Sequence, residues 1–84
     1  MSYFVYIVEC ADKTLYIGTT NNLEKRIQSH NESKSGAKYT RGRRPVRLVY
    51  SEDCQTKNKA LSREYVLKKL SREEKMRLFT GNRE

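Results

Sequence analysis

Cysteine is scarce in this 84-residue chain, and neither copy sits where a disulfide framework or a zinc site would need it. Cys10 and Cys54 lack CxxC or zinc-ligand spacing, and each closes a strand-like run. Both read as reduced structural thiols, which excludes a disulfide-built scaffold and suits the cytoplasm. No apolar run approaches the roughly 20 residues of a membrane span. "MSYFVYIVEC" has neither the basic start nor the small-residue cleavage site of a signal peptide. Repeats and low-complexity linkers are also missing, so one small domain over residues 1–84 is expected. A chain this short buries only about 60–65% of its unfolded surface, so its core is modest.

Acidic residues are absent from one stretch, and that absence carries information. Lys34, Lys38, Arg41, Arg43, Arg44 and Arg47 fall within 14 residues that contain no carboxylate. This segment holds +6 of the formal net charge of +8, against −1 before it and +3 after it. A one-sign block suits a polyanion, and nucleic acid fits better than a membrane surface because no basic amphipathic helix accompanies it. Tyr39, set among these cations, offers a stacking surface.

What remains reads as six elements. "YFVYIVEC" is β-branched and aromatic, a buried strand over about Tyr3 to Cys10. The polar "ADK" is short enough to turn it into a hairpin with "TLYIGTT". "TNN" supplies N-cap residues for a helix whose apolar stripe is Leu23 and Ile27. Gly36, Gly42 and Pro45 mark a loop. "VRLVYSE" alternates Val46, Leu48 and Tyr50 against Arg47, Val49 and Ser51, as a half-buried third strand would. From about Thr56 a helix carries an apolar stripe of Ala60, Leu61, Leu67 and Leu70. "SREE" at Ser71 matches a capping box for a last short helix, anchored by Met76, Leu78 and Phe79 and stopped at Gly81. The expected class is α+β, a three-stranded antiparallel sheet flanked by helices in the order ββαβαα.

Five side chains in this frame could carry chemistry. Tyr6 and Tyr16 lie on neighbouring strands and can face the same way, with Gly18 leaving room beside Tyr16. Arg26 and His30 stand at i and i+4 on one helix face. Glu64 has Ala60, Leu61 and Leu67 as helical neighbours, and a carboxylate at the margin of a core needs a cation or a metal. Together these types suit phosphodiester hydrolysis. A metal on Glu64 would polarise the phosphate, Arg26 would neutralise developing charge, and a tyrosine with its pKa lowered by a cation would relay a proton. Taken singly, each has a plainer role: a core tyrosine with a satisfied hydroxyl, a surface or capping histidine, a salt-bridged glutamate. The residue types alone leave both readings open.

The motifs "FVYIVECADKTLYIGTTNNLEKRIQSH" and "ALSREYVLKKL" resemble the GIY-YIG nuclease family over nearly the whole chain, and "GAKYTRGRRPVRLVYSE" looks like its small stand-alone bacterial members. Tyr16-Ile17-Gly18 matches the second tripeptide intact, whereas Phe4-Val5-Tyr6 stands for Gly-Ile-Tyr and keeps only the tyrosine. Arg26 matches the family's helix arginine, His30 a histidine of several branches, and Glu64 the metal-binding glutamate. Thr19 stands where some relatives carry a lysine, leaving His30 as a substitute for it.

The resemblance implies a divalent-metal-dependent endonuclease that hydrolyses DNA. Tyr6 and Tyr16 would act on the attacking water, Arg26 on the transition state, and Glu64 would hold Mg²⁺ or Mn²⁺. DNA would be met through Lys34, Lys38, Tyr39, Arg41, Arg43 and Arg44, and no small-molecule cofactor or membrane is implied. The rival classes are a nucleic-acid-binding module without catalysis and an adaptor acting through a protein partner.

Overall fold

A computed structural model describes residues 2–32 and 42–79. Strands β1 (Phe4–Glu9) and β2 (Leu15–Thr20) precede helix α1 (Leu23–Glu32). Strand β3 (Arg47–Asp53) is followed by helices α2 (Lys57–Lys68) and α3 (Arg72–Arg77). The strands form one antiparallel sheet in the order β2-β1-β3, so the most apolar strand is central. The expected ββαβαα order and sheet are observed.

The β1–β2 hairpin closes where Cys10 N–H donates to the Thr14 carbonyl at 2.8 Å. Its three-residue loop needs one residue in the left-handed region, and Lys13 takes it at φ 72°. Asp12 Oδ1 braces the loop by accepting from the Thr14 amide and hydroxyl. At the start of α1, Asn22 Oδ1 accepts from the Lys25 amide at 3.0 Å, an N-cap from the "TNN" run. The capping box at Ser71 is present in both directions, and Thr56 caps α2.

Side chains leave the two faces of β1 alternately, and each face has its own cover. Val5 and Ile7 pack with Ile17 and with Leu67 of α2, joined by Leu70 and Leu78. Tyr6, Val8 and Cys10 pack with Val46, Tyr16 and the α1 residues Leu23 and Ile27. Cys10 and Cys54 belong to opposite faces, and both are free thiols.

Two sequence expectations fail in instructive ways. The alternation of Val46, Leu48 and Tyr50 does not survive, because the β1–β3 register slips between Ile7 and Val8. The bulge puts one extra residue into β3. Val46 therefore packs on the Tyr6 side, Val49 and Tyr50 both pack on the Ile7 side, and Leu48 is exposed. In α2 the buried residues are Ala60 and Leu67, whereas Leu61 is 44% exposed. Of the expected stripe, Ala60 and Leu67 are buried and Leu70 packs against the core, so Leu61 alone is misplaced. Gly81, the expected helix stop, lies outside the described residues.

Two side-chain links fix how the elements meet. Asn31 at the end of α1 clasps the Val46 backbone, with Oδ1 accepting from its N–H at 2.7 Å and Nδ2 donating to its carbonyl at 3.0 Å. Arg63 of α2 donates Nε and an Nη to the two oxygens of Glu52 in β3, at 2.8 and 3.0 Å. That fork holds the Glu52 carboxyl below its ordinary pKa.

Candidate active site

The central feature is a tyrosine with no exposed surface, Tyr6, in the middle strand. Gly18 is its partner across the β1–β2 ladder. A Cβ at Gly18 would lie 2.6 Å from the Tyr6 hydroxyl oxygen, 2.8 Å from Cζ and 3.2 Å from Cε2 of Tyr16. Gly18 does not have positive φ, so it is required for space and not for backbone conformation. The room expected beside Tyr16 is occupied by the chain's own Tyr6 ring.

Helix α1 crosses this face and brings its i, i+4 pair down onto Tyr6. His30 Nε2 is 2.9 Å from the Tyr6 hydroxyl, and Arg26 Nε donates to the same oxygen at 3.3 Å. The imidazole stands edge-on to both tyrosines, with centroids 5.9 Å from Tyr6 and 5.4 Å from Tyr16. His30 is fully buried, not a cap or surface residue. A guanidinium only donates. The Tyr6 oxygen therefore accepts from Arg26, and its own proton is best placed on Nε2 of a neutral His30.

Protonation agrees with that assignment. Burial pushes the His30 pKa down to about 4, with the Arg26 and Arg44 charges adding to the effect. Burial likewise raises the Tyr6 pKa; the Arg26 hydrogen bond and charge oppose it, while Tyr16 and Glu64 reinforce it. The cation beside Tyr6 was expected to lower its pKa. It does pull in that direction, but desolvation is the larger effect, so Tyr6 stays a neutral phenol near pH 7. His30 is neutral there too.

Glu64 reaches the same centre from α2. It shares a helix side with buried Ala60 and Leu67, and its side chain is 19% exposed. Its Oε2 pairs with Lys68 Nζ at 2.8 Å, one turn on. Its charge acts on Tyr6, although no hydrogen bond joins them. Among the described residues no group of three or more His, Cys, Asp or Glu could enclose a metal. A closed structural site of the zinc type is thus not built from them. A single carboxylate supplemented by water and substrate phosphate is a donor set that Mg²⁺ accepts, and Glu64 fits that description.

A model of the GIY-YIG catalytic domain matches residues 2–77. The chain belongs to the GIY-YIG family. Among its relatives, a UPF0213 protein of Clostridium perfringens is 57% identical over 93% of this chain and 83% of its own. One of Syntrophus aciditrophicus is 54% identical over 96% and 93%. The solution structure of a UPF0213 protein from Bacillus halodurans superposes with a TM-score of 0.60 at 44% identity, covering 98% of this chain and 86% of that one.

Within this GIY-YIG fold the two motif tyrosines, Arg26 and His30 stand together, with Glu64 in electrostatic range. The basic segment is less simple. Lys34, Lys38, Tyr39 and Arg41 lie outside the described residues. Arg43 pairs with Asp12 at 3.0 Å, and Arg44 donates Nε to the His30 carbonyl. Both cations thus have partners within the fold, and Arg44 helps seat the histidine. Asn31 and Arg44 were not singled out as site supports from the sequence. Asn31 directly follows His30, but its contact is with backbone, which no side-chain pattern announces.

Proposed function

We propose that the protein is a divalent-metal-dependent endonuclease that hydrolyses DNA phosphodiester bonds. The observation that carries this reading is the convergence of Arg26, His30 and Tyr16 on buried Tyr6, with the Glu64 carboxylate close enough to perturb it. A binding module needs no such assembly of proton-transfer groups.

Mg²⁺ or Mn²⁺ held by Glu64 would supply Lewis acidity toward the phosphate. The protein's own residues do the rest. Arg26 is anchored through Nε on Tyr6 and lines an open cavity of about 260 Å³ with Thr20, Asn22 and Ser29. Its charge is thereby fixed before substrate arrives, which is the condition for stabilising charge that grows on phosphoryl oxygens. Tyr16 is only partly covered, and in this reading it orients the attacking water. Tyr6 acts from inside: it holds Arg26, and a proton leaving it has the neutral imidazole of His30 to receive it.

The test is incubation of labelled single-stranded, nicked, branched and duplex DNA with Mg²⁺ or Mn²⁺. Metal-dependent cleavage of at least one substrate supports the nuclease. Binding without cleavage of any would replace it with the nucleic-acid-binding module.

A further inference from the structure

The outward side of α2 is unusual for a helix this charged. Tyr65 is 64% exposed and Leu61, one turn before it, 44%. Single exposed apolar residues are ordinary; an i, i+4 pair with an aromatic ring among cations is a surface with a use. Lys69 Nζ sits 4.2 Å from the Tyr65 ring centroid, so one ring face carries a cation and the ring is held in place. Lys57 continues the line at i−4 from Leu61, and Lys68 lies at i+3 from Tyr65. The one acid within α2 is Glu64, already paired with Lys68. This side of the helix therefore carries cations and one open aromatic face, and the proposed metal-binding carboxylate precedes Tyr65 by one residue, about a quarter turn around the helix.

The geometry points to this face of α2 as a track for an unpaired DNA strand, with Tyr65 stacking on a nucleobase next to the bond placed at Glu64. The inference rests on the nuclease reading and narrows its substrate to DNA with an unpaired or displaced base beside the cut. An aromatic platform among cations is what single strands use, because every base offers a π-face whereas duplex bases are already stacked. A protein partner would need an acidic or extended apolar surface of its own. The exposed apolar side chains of α2, Leu61, Tyr65 and Val66, are too few to hold a second copy of this chain at the area a stable dimer requires.

The chain has no tryptophan, so Tyr65→Trp installs a single emitter on an exposed position. The probe is a short oligothymidylate, alone and annealed to its complement, without metal. The expected result is quenching by the single strand and none by the duplex. Tyr65→Ala should bind the single strand about 5- to 150-fold more weakly, the value of one base stacked on one ring. Lys69→Gln should lower the slope of log affinity against log salt by about 0.7. Wild-type protein that binds the single strand while Tyr65→Trp emission stays unchanged would overturn the track and leave the nuclease reading standing. Emission that shifts with protein concentration alone, with a dimer in sedimentation, would assign the face to self-association and overturn it as well. If neither oligonucleotide bound, the track would fall, and the nuclease reading would still be decided by metal-dependent cleavage.

Discussion

Replacing Gly18 by alanine sets two effects of opposite sign against each other. Gly18 has no positive φ, so alanine is allowed by the backbone. On that ground alone the change would stabilise the protein by about 0.4–1 kcal/mol through the unfolded state. Against this, the new methyl would sit 2.6 and 2.8 Å from Oη and Cζ of Tyr6. The ring cannot simply swing away. It has no exposed surface, and its hydroxyl is held by His30 and Arg26. Overpacking of this kind costs about 1–3 kcal/mol, so the net effect should be a loss of about 1–2 kcal/mol. For a domain of this size that lowers Tm by about 5–15 °C. Thermal unfolding followed by circular dichroism measures it. In a Tyr6→Leu background the same Gly18→Ala change should be neutral or stabilising, because the atoms it meets are gone. An unchanged or higher Tm for Gly18→Ala alone would refute the placement of the Tyr6 ring over the glycine.

Two further outcomes follow from the protonation and charge of the site. His30 has a folded pKa of about 4 against about 6.5 when unfolded. The unfolded state therefore binds the extra proton first, so stability is fully present above pH 6.5 and falls between 6.5 and 4. The loss is up to about 3 kcal/mol at about 1.4 per pK unit. Urea unfolding of a His30→Asn variant should be nearly flat across that window, and a slope equal to wild type would assign the acid lability to other groups. Arg26→Ala should lower single-turnover cleavage by roughly 10²-fold with little change in DNA affinity, since its charge acts on the transition state. Lost binding with unaltered turnover would make Arg26 a phosphate clamp instead.

The sequence made some of this plain and hid the rest for physical reasons. Arg26 and His30 were readable as neighbours because a helix repeats every 3.6 residues, and that relation is local. That both would land on Tyr6 depends on how α1 crosses the sheet, which no local period encodes; the family resemblance supplied it. Glu64 was legible as a carboxylate at a core margin. Leu61 was misplaced because four apolar residues over eleven positions fit two helix rotations, and only packing chooses between them. The β3 bulge was invisible since its signal lies in the pairing of β1 with β3. Arg43 and Arg44 show the limit of charge counting: composition gives the sign of a segment, but Asp12 and the His30 carbonyl, both distant in sequence, decide what each cation touches.

Glu64→Gln puts the central claim to its most direct trial. The substitution keeps size and packing, removes the charge, and gives up only a partly exposed pair with Lys68, worth about 1 kcal/mol or less. Cleavage, DNA affinity and Tm should be measured on the same preparations with Mg²⁺ and with Mn²⁺. The account predicts a folded variant whose Tm is within a few degrees of wild type, with DNA affinity retained and metal-dependent cleavage lost. A variant that cuts as fast as wild type would contradict the assignment of the metal to Glu64. One that unfolds would show the residue to be a structural ion-pair partner.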